Sequence, residues 1–200
     1  MAGIDGRRRR AFRTRAAVVE ALLDLLEAGE LRPRADRIAE RAGVSTRSLF
    51  QHFADLEELH AAVADRQLER IALEIGPPAT TGSLAARVAS LAAARAALYE
   101  RITPVRRAAL LHEPFSRAIA ARLAGMRRSC RRDVDRIFPA ELERLQPAAR
   151  RELRDALCMA SSFSAWEHLR RHAGASAAHA ERVVARSLLA LLTAARRKES

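Results

Sequence analysis

The side chains whose chemistry is easiest to read lie between positions 34 and 53. Ser45, Thr46, Arg47 and Ser48 stand together, Phe50, Gln51 and His52 follow within the next turn, and Arg34 precedes them. Apart from Phe50 these are hydrogen-bond donors and acceptors, and none is a nucleophile beside a base. Arginine fits guanine edges or phosphate, while hydroxyls, amides and imidazole reach base edges and backbone oxygens. Grouped on one short helix, they suit a nucleic-acid surface.

Catalytic chemistry is harder to find. The six histidines are His52, His60, His112, His168, His172 and His179. His168 and His172 are four apart, a spacing that serves a metal on a helix. No glutamate lies between them in an H-E-x-x-H arrangement, and no cysteine is close, so they read as surface or interface residues. There is no P-loop, no glycine-rich dinucleotide fingerprint and no nucleophile elbow. The expectation is a protein that is not an enzyme and needs no cofactor or metal. Cys130 and Cys158 both fall inside helical pattern, which favours reduced thiols and a cytoplasmic setting over a disulfide scaffold.

The elements that must hold the 34–53 side chains are two short helices, at positions 33–42 and 45–52. Crossing at a steep angle, they need a small residue where their axes approach, and Ala39 supplies it. Gly43, four residues later, tolerates the positive φ of the turn. Ile38, Ala42, Val44 and Leu49 are the apolar pins. Ser45 caps the second helix, which aims its first turn outward toward a major groove. A leading helix at 12–28 buries Val18, Leu22, Leu25 and Leu26, with Gly29 as its C-terminal cap. A fourth opens on Asp55 and Glu58 as a capping box and runs to 75, where Gly76, Pro77 and Pro78 stop it.

Within this stretch, the run from Ile38 through Leu59 resembles the DNA-binding region of the TetR family of bacterial repressors. The likeness covers about 11–71, with the motif at 34–53. It implies an all-α homodimer: an N-terminal three-helix helix-turn-helix DNA-binding domain at 11–71, and a C-terminal helical effector-binding and dimerisation domain at 72–200. It implies DNA-binding roles for Arg34, Ser45, Thr46, Arg47, Ser48, Phe50, Gln51 and His52. Three positions depart from the family pattern. Phe50 replaces the usual Tyr and loses a phosphate contact. Leu56 replaces a Lys at the start of the fourth helix, where its side chain is expected to project toward the DNA backbone. Arg34 replaces a Ser or Thr cap; it caps poorly but can reach a phosphate.

Beyond residue 75 helical periodicity continues. A helix is expected from 84 until Pro104 ends it. Phe115, Ile119, Leu123, Met126, Cys130, Val134 and Ile137 then recur at steps of three and four up to Pro139, the strongest helical pattern in the chain. Two further helices are expected at 147–172 and 176–197. Met126, Cys130, Met159, Phe163 and Trp166 are candidates for lining an apolar effector pocket. Val183, Val184, Leu188, Leu191 and Leu192 form a stripe that Leu153, Leu157, Ala160 and Trp166 face, a candidate for a two-fold four-helix dimer.

The 200 residues carry 36 basic and 24 acidic side chains, a formal charge of +12, which points to an anionic partner. Residues 1–53 hold 11 arginines and seven acids, of which Arg7 to Arg10 are expected to form a flexible arm. Residues 101–136 hold ten arginines and three acids, so most of the surplus lies outside the motif. No apolar run reaches the ~20 residues that span a bilayer, and no secretory signal opens the chain. The combined reading is a sequence-specific transcriptional regulator: a homodimeric repressor on a palindromic double-stranded operator, released by a small-molecule effector. The alternative is a basic amphipathic protein at anionic membrane surfaces, motivated by the arginine-rich face of 115–137.

Overall fold

The computed structural model describes residues 2–197, and every regular element among them is helical. In chain order these are α1 (Ala2–Glu27), α2 (Ala35–Arg41), α3 (Thr46–His52), α4 (Leu56–Ala72), α5 (Leu84–His112), α6 (Arg117–Ile137), α7 (Pro139–Glu143), α8 (Pro147–Ala160), α9 (Phe163–Glu167), which continues as a π-helical turn over His168–His172, and α10 (Ala177–Arg197). The all-α expectation holds. No helix among the described residues is long and apolar enough to cross a membrane.

The chain forms two compact units. One comprises the segment through Leu73 together with Ile102–Leu123; the other comprises Glu74–Arg101 and the chain from Ala124 onward. In the first unit, Val18, Leu22 and Leu26 of α1 are wholly buried with Ile38, Leu49, Leu59 and Val63. Each such side chain contributes about 1.5–3 kcal/mol through apolar burial. Val105 and Ala108, from the last turns of α5, complete this core. The core of the second unit includes Leu91, Phe138, Leu157, Trp166, Leu188 and Leu192.

Several boundaries differ from those expected. Pro104 sits inside α5 and does not end it. Proline there removes one backbone hydrogen bond and crowds the preceding turn, at ~3 kcal/mol. Ile102, Val105 and Ala108 are all buried around it, and their burial outweighs the local defect. Phe115 is 84% exposed and precedes α6, because the Ser116 hydroxyl accepts the Ile119 N–H at 3.0 Å and starts the helix one residue later. Pro139 opens the short α7 at its first position, where its missing N–H costs nothing. The single helix expected over 147–172 is broken at a serine pair. Ser161 Oγ donates back to the Leu157 carbonyl at 2.7 Å, and Ser162 Oγ caps α9 by accepting the Ala165 N–H.

In the second unit a buried ion pair crosses between helices. Arg87 on α5 donates to both carboxylate oxygens of Glu141 on α7, at 3.0 and 2.7 Å, and to the Ile137 carbonyl. The apolar stripe of α10 is consumed in the same unit, since Ala180, Val184, Leu188 and Leu192 are buried and α10 packs on α8. Leu153 and Leu157 of α8 are buried too. Val184, Leu188 and Leu192 of the stripe and Leu153, Leu157 and Trp166 are thus core of the chain, whereas Val183, Leu191 and Ala160 are half-buried and Met159 and Leu189 are exposed.

Candidate nucleic-acid interface

The α2–α3 turn is closed by backbone bonds that its sequence permits. The Gly43 N–H donates to the Glu40 carbonyl at 3.1 Å and the Val44 N–H to the Ala39 carbonyl at 3.0 Å. This is the paired bonding of a Schellman cap, and it requires the left-handed φ of +67° that Gly43 adopts. Ile38 and Ala39 are buried beneath the turn, Leu49 is buried on α3, and Ala42 and Val44 pack against the same core. Ser45 then holds extended backbone angles as N-cap, its Oγ accepting the Ser48 N–H at 3.1 Å. That bond orients the first turn of α3 and leaves its neighbouring side chains outside.

The exposed face of α3 carries Thr46, Arg47, Phe50 and Gln51, with Ser48 and His52 half-buried. Arg47 has no ion-pair partner among the described residues. Phe50 is 46% exposed, an apolar group available for contact beyond the chain. Arg34 is the N-cap of α2 but makes no side-chain cap bond, as a pure donor must; 87% of its side chain is exposed, 3.7 Å from Asp36. The structure thus brings six of the eight expected residues onto α3, with Ser45 as its cap and Arg34 at the start of α2.

Ion pairs fasten this frame to α1 and α4. Arg41 meets Asp24 at 2.8 Å, and Glu20 is gripped by both Arg66 and Arg70 of α4. Arg15, which the sequence pattern does not single out, stacks its guanidinium 4.7 Å over the Phe53 ring and reaches Glu58. At the head of α4, Asp55 Oδ1 accepts the Glu58 N–H, and Glu58 reaches back to the Ala54 N–H rather than that of Asp55. Leu56 corrects its expectation. It is partly buried against the core of this unit, because an apolar first residue gains more there than beside solvent.

Below the frame, His60 of α4 is buried against His112 at the end of α5, with ring centroids 4.9 Å apart. Burial pushes the His60 imidazole down to about 4, and the neighbouring His112 adds to the shift. His112 is also lowered, by burial and by the positive charge of Arg32. Its Nε2 is buried without a hydrogen-bond partner. The pair is held neutral.

The arginine run at 7–10 lies in helix α1 rather than in an irregular arm, since no proline or glycine interrupts the chain from Arg7 to Ala28. These side chains are exposed. On α6, the apolar face is taken up by the fold, with Ile119, Leu123, Val134 and Ile137 buried. Much of its basic face is paired: Arg122 with Asp65 at 2.7 and 2.6 Å, Arg131 with Asp155, and Arg136 with Asp133. Without a free apolar face, α6 lacks the amphipathic surface that membrane insertion needs.

The five candidate effector residues divide. Phe163 and Trp166 are buried around Tyr99, at centroid distances of 5.6 and 6.2 Å, and Trp166 Nε1 donates to Glu100 at 3.0 Å. Cys130 is half-buried, 3.9 Å from Ser161 Oγ, and Met126 is half-buried on the same helix. Met159 is 69% exposed. His168 and His172 are exposed, and no group of three or more metal-binding side chains occurs among the described residues.

No family model matches the chain, and no curated protein matches it. Its fold has a solved counterpart in a transcriptional regulator from Rhodococcus sp. Rha1, with a TM-score of 0.70 at 17% identity over 90% of this chain and 96% of that chain. At that identity the likeness is one of fold: an all-helical architecture shared with a transcriptional regulator.

Proposed function

We propose that the chain is a sequence-specific DNA-binding transcriptional regulator of the TetR type: a homodimeric repressor that leaves a palindromic operator when a small molecule binds. The observation that carries this reading is the presentation of α3. A Schellman turn and a serine cap fix it, Leu49 anchors it, and Thr46, Arg47 and Gln51 face outward beside Arg34. In this reading residues 11–71 bind DNA, and 72–200 bind effector and form the dimer. Arg47 and Gln51 read base edges; Arg34, Thr46, Ser48 and His52 hold phosphates; Phe50 touches a thymine methyl. The effector enters beside Met126, Cys130, Phe163 or Trp166 and favours a spacing of the two α3 helices that mismatches the operator.

The test is selection of bound fragments from random DNA with the full chain, followed by titration of the selected site. A two-fold symmetric site with half-sites about 34–36 Å apart is expected. Arg47→Ala should then weaken binding by about 1–3 kcal/mol and relax preference at one position per half-site. Recovery of no preferred sequence would overturn the reading. An equal loss on operator and scrambled DNA would move Arg47 from base reading to phosphate contact.

A further inference from the structure

One face of α5 carries Arg87, Leu91, Arg95 and Tyr99 at steps of four, all buried, and the fold treats its two arginines differently. Arg87 is matched by both oxygens of Glu141 and by the Ile137 carbonyl. Arg95 is 8% exposed and donates through one Nη to Asp133 at 2.8 Å. Its Nε is buried and has no hydrogen-bond partner among the described residues. Asp133 is itself shared, since its other oxygen accepts from Arg136 at 3.2 Å. One carboxylate therefore serves two guanidiniums, which leaves a local surplus of one positive charge. A buried charged donor left unmet is costly, and an anion is what relieves it.

Next to this cation the surroundings turn apolar. Tyr99 is one turn along α5 from Arg95, and Cys130 one turn along α6 from Asp133. The two are joined through Ser161: the Tyr99 hydroxyl donates to its carbonyl at 2.8 Å, and Cys130 Sγ lies 3.9 Å from its Oγ. Phe163 and Trp166 pack on the Tyr99 ring. We propose that Arg95 anchors a ligand site for a monocarboxylic acid with an apolar body. Its carboxylate accepts from Arg95 Nε and an adjacent Nη, and its body lies along Tyr99 and Cys130 toward Trp166.

The donor set selects the class. A guanidinium offers Nε and Nη in a planar fork that matches a carboxylate. The hydroxyls nearby are committed, Tyr99 to the Ser161 carbonyl and Ser161 to the Leu157 carbonyl at 2.7 Å, so no second group of donors stands ready for a dianion. Arg95 keeps its bond to Asp133 when the acid binds. Met126, one turn beyond Cys130 on α6, and Cys130 itself are half-buried, and the unbranched Met126 is the side chain that yields to the incoming body. The inference deepens the function proposed above, on which it rests only in treating the acid as the effector; the binding itself needs no DNA.

Trp166 is the sole tryptophan, so its emission reports on the site directly. The experiment titrates the full chain, without DNA, with phenylacetate and octanoate and with their neutral amides, phenylacetamide and octanamide. Expected is a saturable change in Trp166 emission with at least one acid below about 10 mM, and binding of its amide at least about tenfold weaker, because the amide lacks the charge that the fork requires. Arg95→Met should bind acid and amide alike. No saturable change with either acid, equal affinity of acid and amide, or a preference for the acid that survives in folded Arg95→Met would each overturn the proposal. The comparison of acid with amide on the wild type decides it even where the variant fails to fold. Acid-selective binding by a chain that selects no DNA sequence would support this site and overturn the regulator reading alone.

Discussion

Acidification should loosen the unit that holds the α2–α3 turn through His60. In the folded chain this imidazole is held down to about 4 by burial and by His112, whereas in the unfolded chain it returns to its ordinary value of 6.5. The unfolded state therefore binds the proton more readily, and stability falls as pH drops below 6.5, levelling off once pH passes below about 4. At pH 7.5 neither state is appreciably protonated at this group, so its contribution is complete. At pH 5 nearly every unfolded chain carries the proton and few folded chains do. Integrating the difference gives a loss of roughly 2 kcal/mol, approaching about 3 at still lower pH. Urea unfolding of wild type and His60→Leu at pH 7.5 and 5.0 isolates this quantity, because the carboxylates common to both proteins cancel. Between those pH values the wild type should lose about 2 kcal/mol more than the variant. The slope remaining in the variant belongs partly to His112, which is also held neutral by burial. Parallel pH dependences would refute the argument, since they would mean His60 has the same proton affinity in both states.

Three further perturbations follow from the same structure. Gly43→Ala should cost about 1–2 kcal/mol in denaturant unfolding, because φ is +67° while no atom lies within 4 Å of the new Cβ; Gly43→Asn should cost less. Glu141→Ala should cost about 3–5 kcal/mol by leaving Arg87 buried without its partner, while the double change Arg87→Met with Glu141→Leu recovers most of that stability. Leu56→Lys should destabilise the chain by about 1 kcal/mol, since a partly buried side chain is lost and a cation is placed at the positive end of α4. The same lysine should leave the salt dependence of the proposed DNA binding unchanged; a slope steeper by ~0.9 per chain would place the residue beside a phosphate.

The helices around the turn were legible because their signals are local. Gly43 must take a left-handed φ, Ser45 must cap, and Asp55 must open α4, whatever the rest of the chain does. The errors arise where distant packing decides. Pro104 signals a helix end in isolation, yet Ile102, Val105 and Ala108 are buried on either side of it and carry α5 through. Phe115 fits the apolar period of α6, but Ser116 takes the capping role and leaves it outside. Leu56, at the start of α4, packs against the core, and a place at a helix start does not encode which side faces inward. The proximity of His60 to His112 leaves no trace in spacing. That pair exists only once the helices are folded together.

Net charge alone would have been a poor guide to the interface. The surplus of 12 positive charges suggests a polyanion, but arginines outnumber acids most strongly over 101–136, well beyond the turn in sequence. There the fold employs several of them internally: Arg122 on Asp65, Arg131 on Asp155, Arg136 on Asp133. Arg66 and Arg70 are likewise spent on Glu20, and Arg41 on Asp24. An arginine already paired with a carboxylate must give up that partner to gain a phosphate, so it adds less to binding than an arginine that stands free. Among the described residues Arg47 has no such partner, and Arg34 has Asp36 alone, at 3.7 Å. Two exposed guanidiniums at the ends of a rigid, capped turn therefore say more about DNA than the rest of the surplus. Under the proposed function the remaining positive field would steer encounter at long range, and its effect should fade with added salt while the contribution proposed for Arg47 to sequence preference persists.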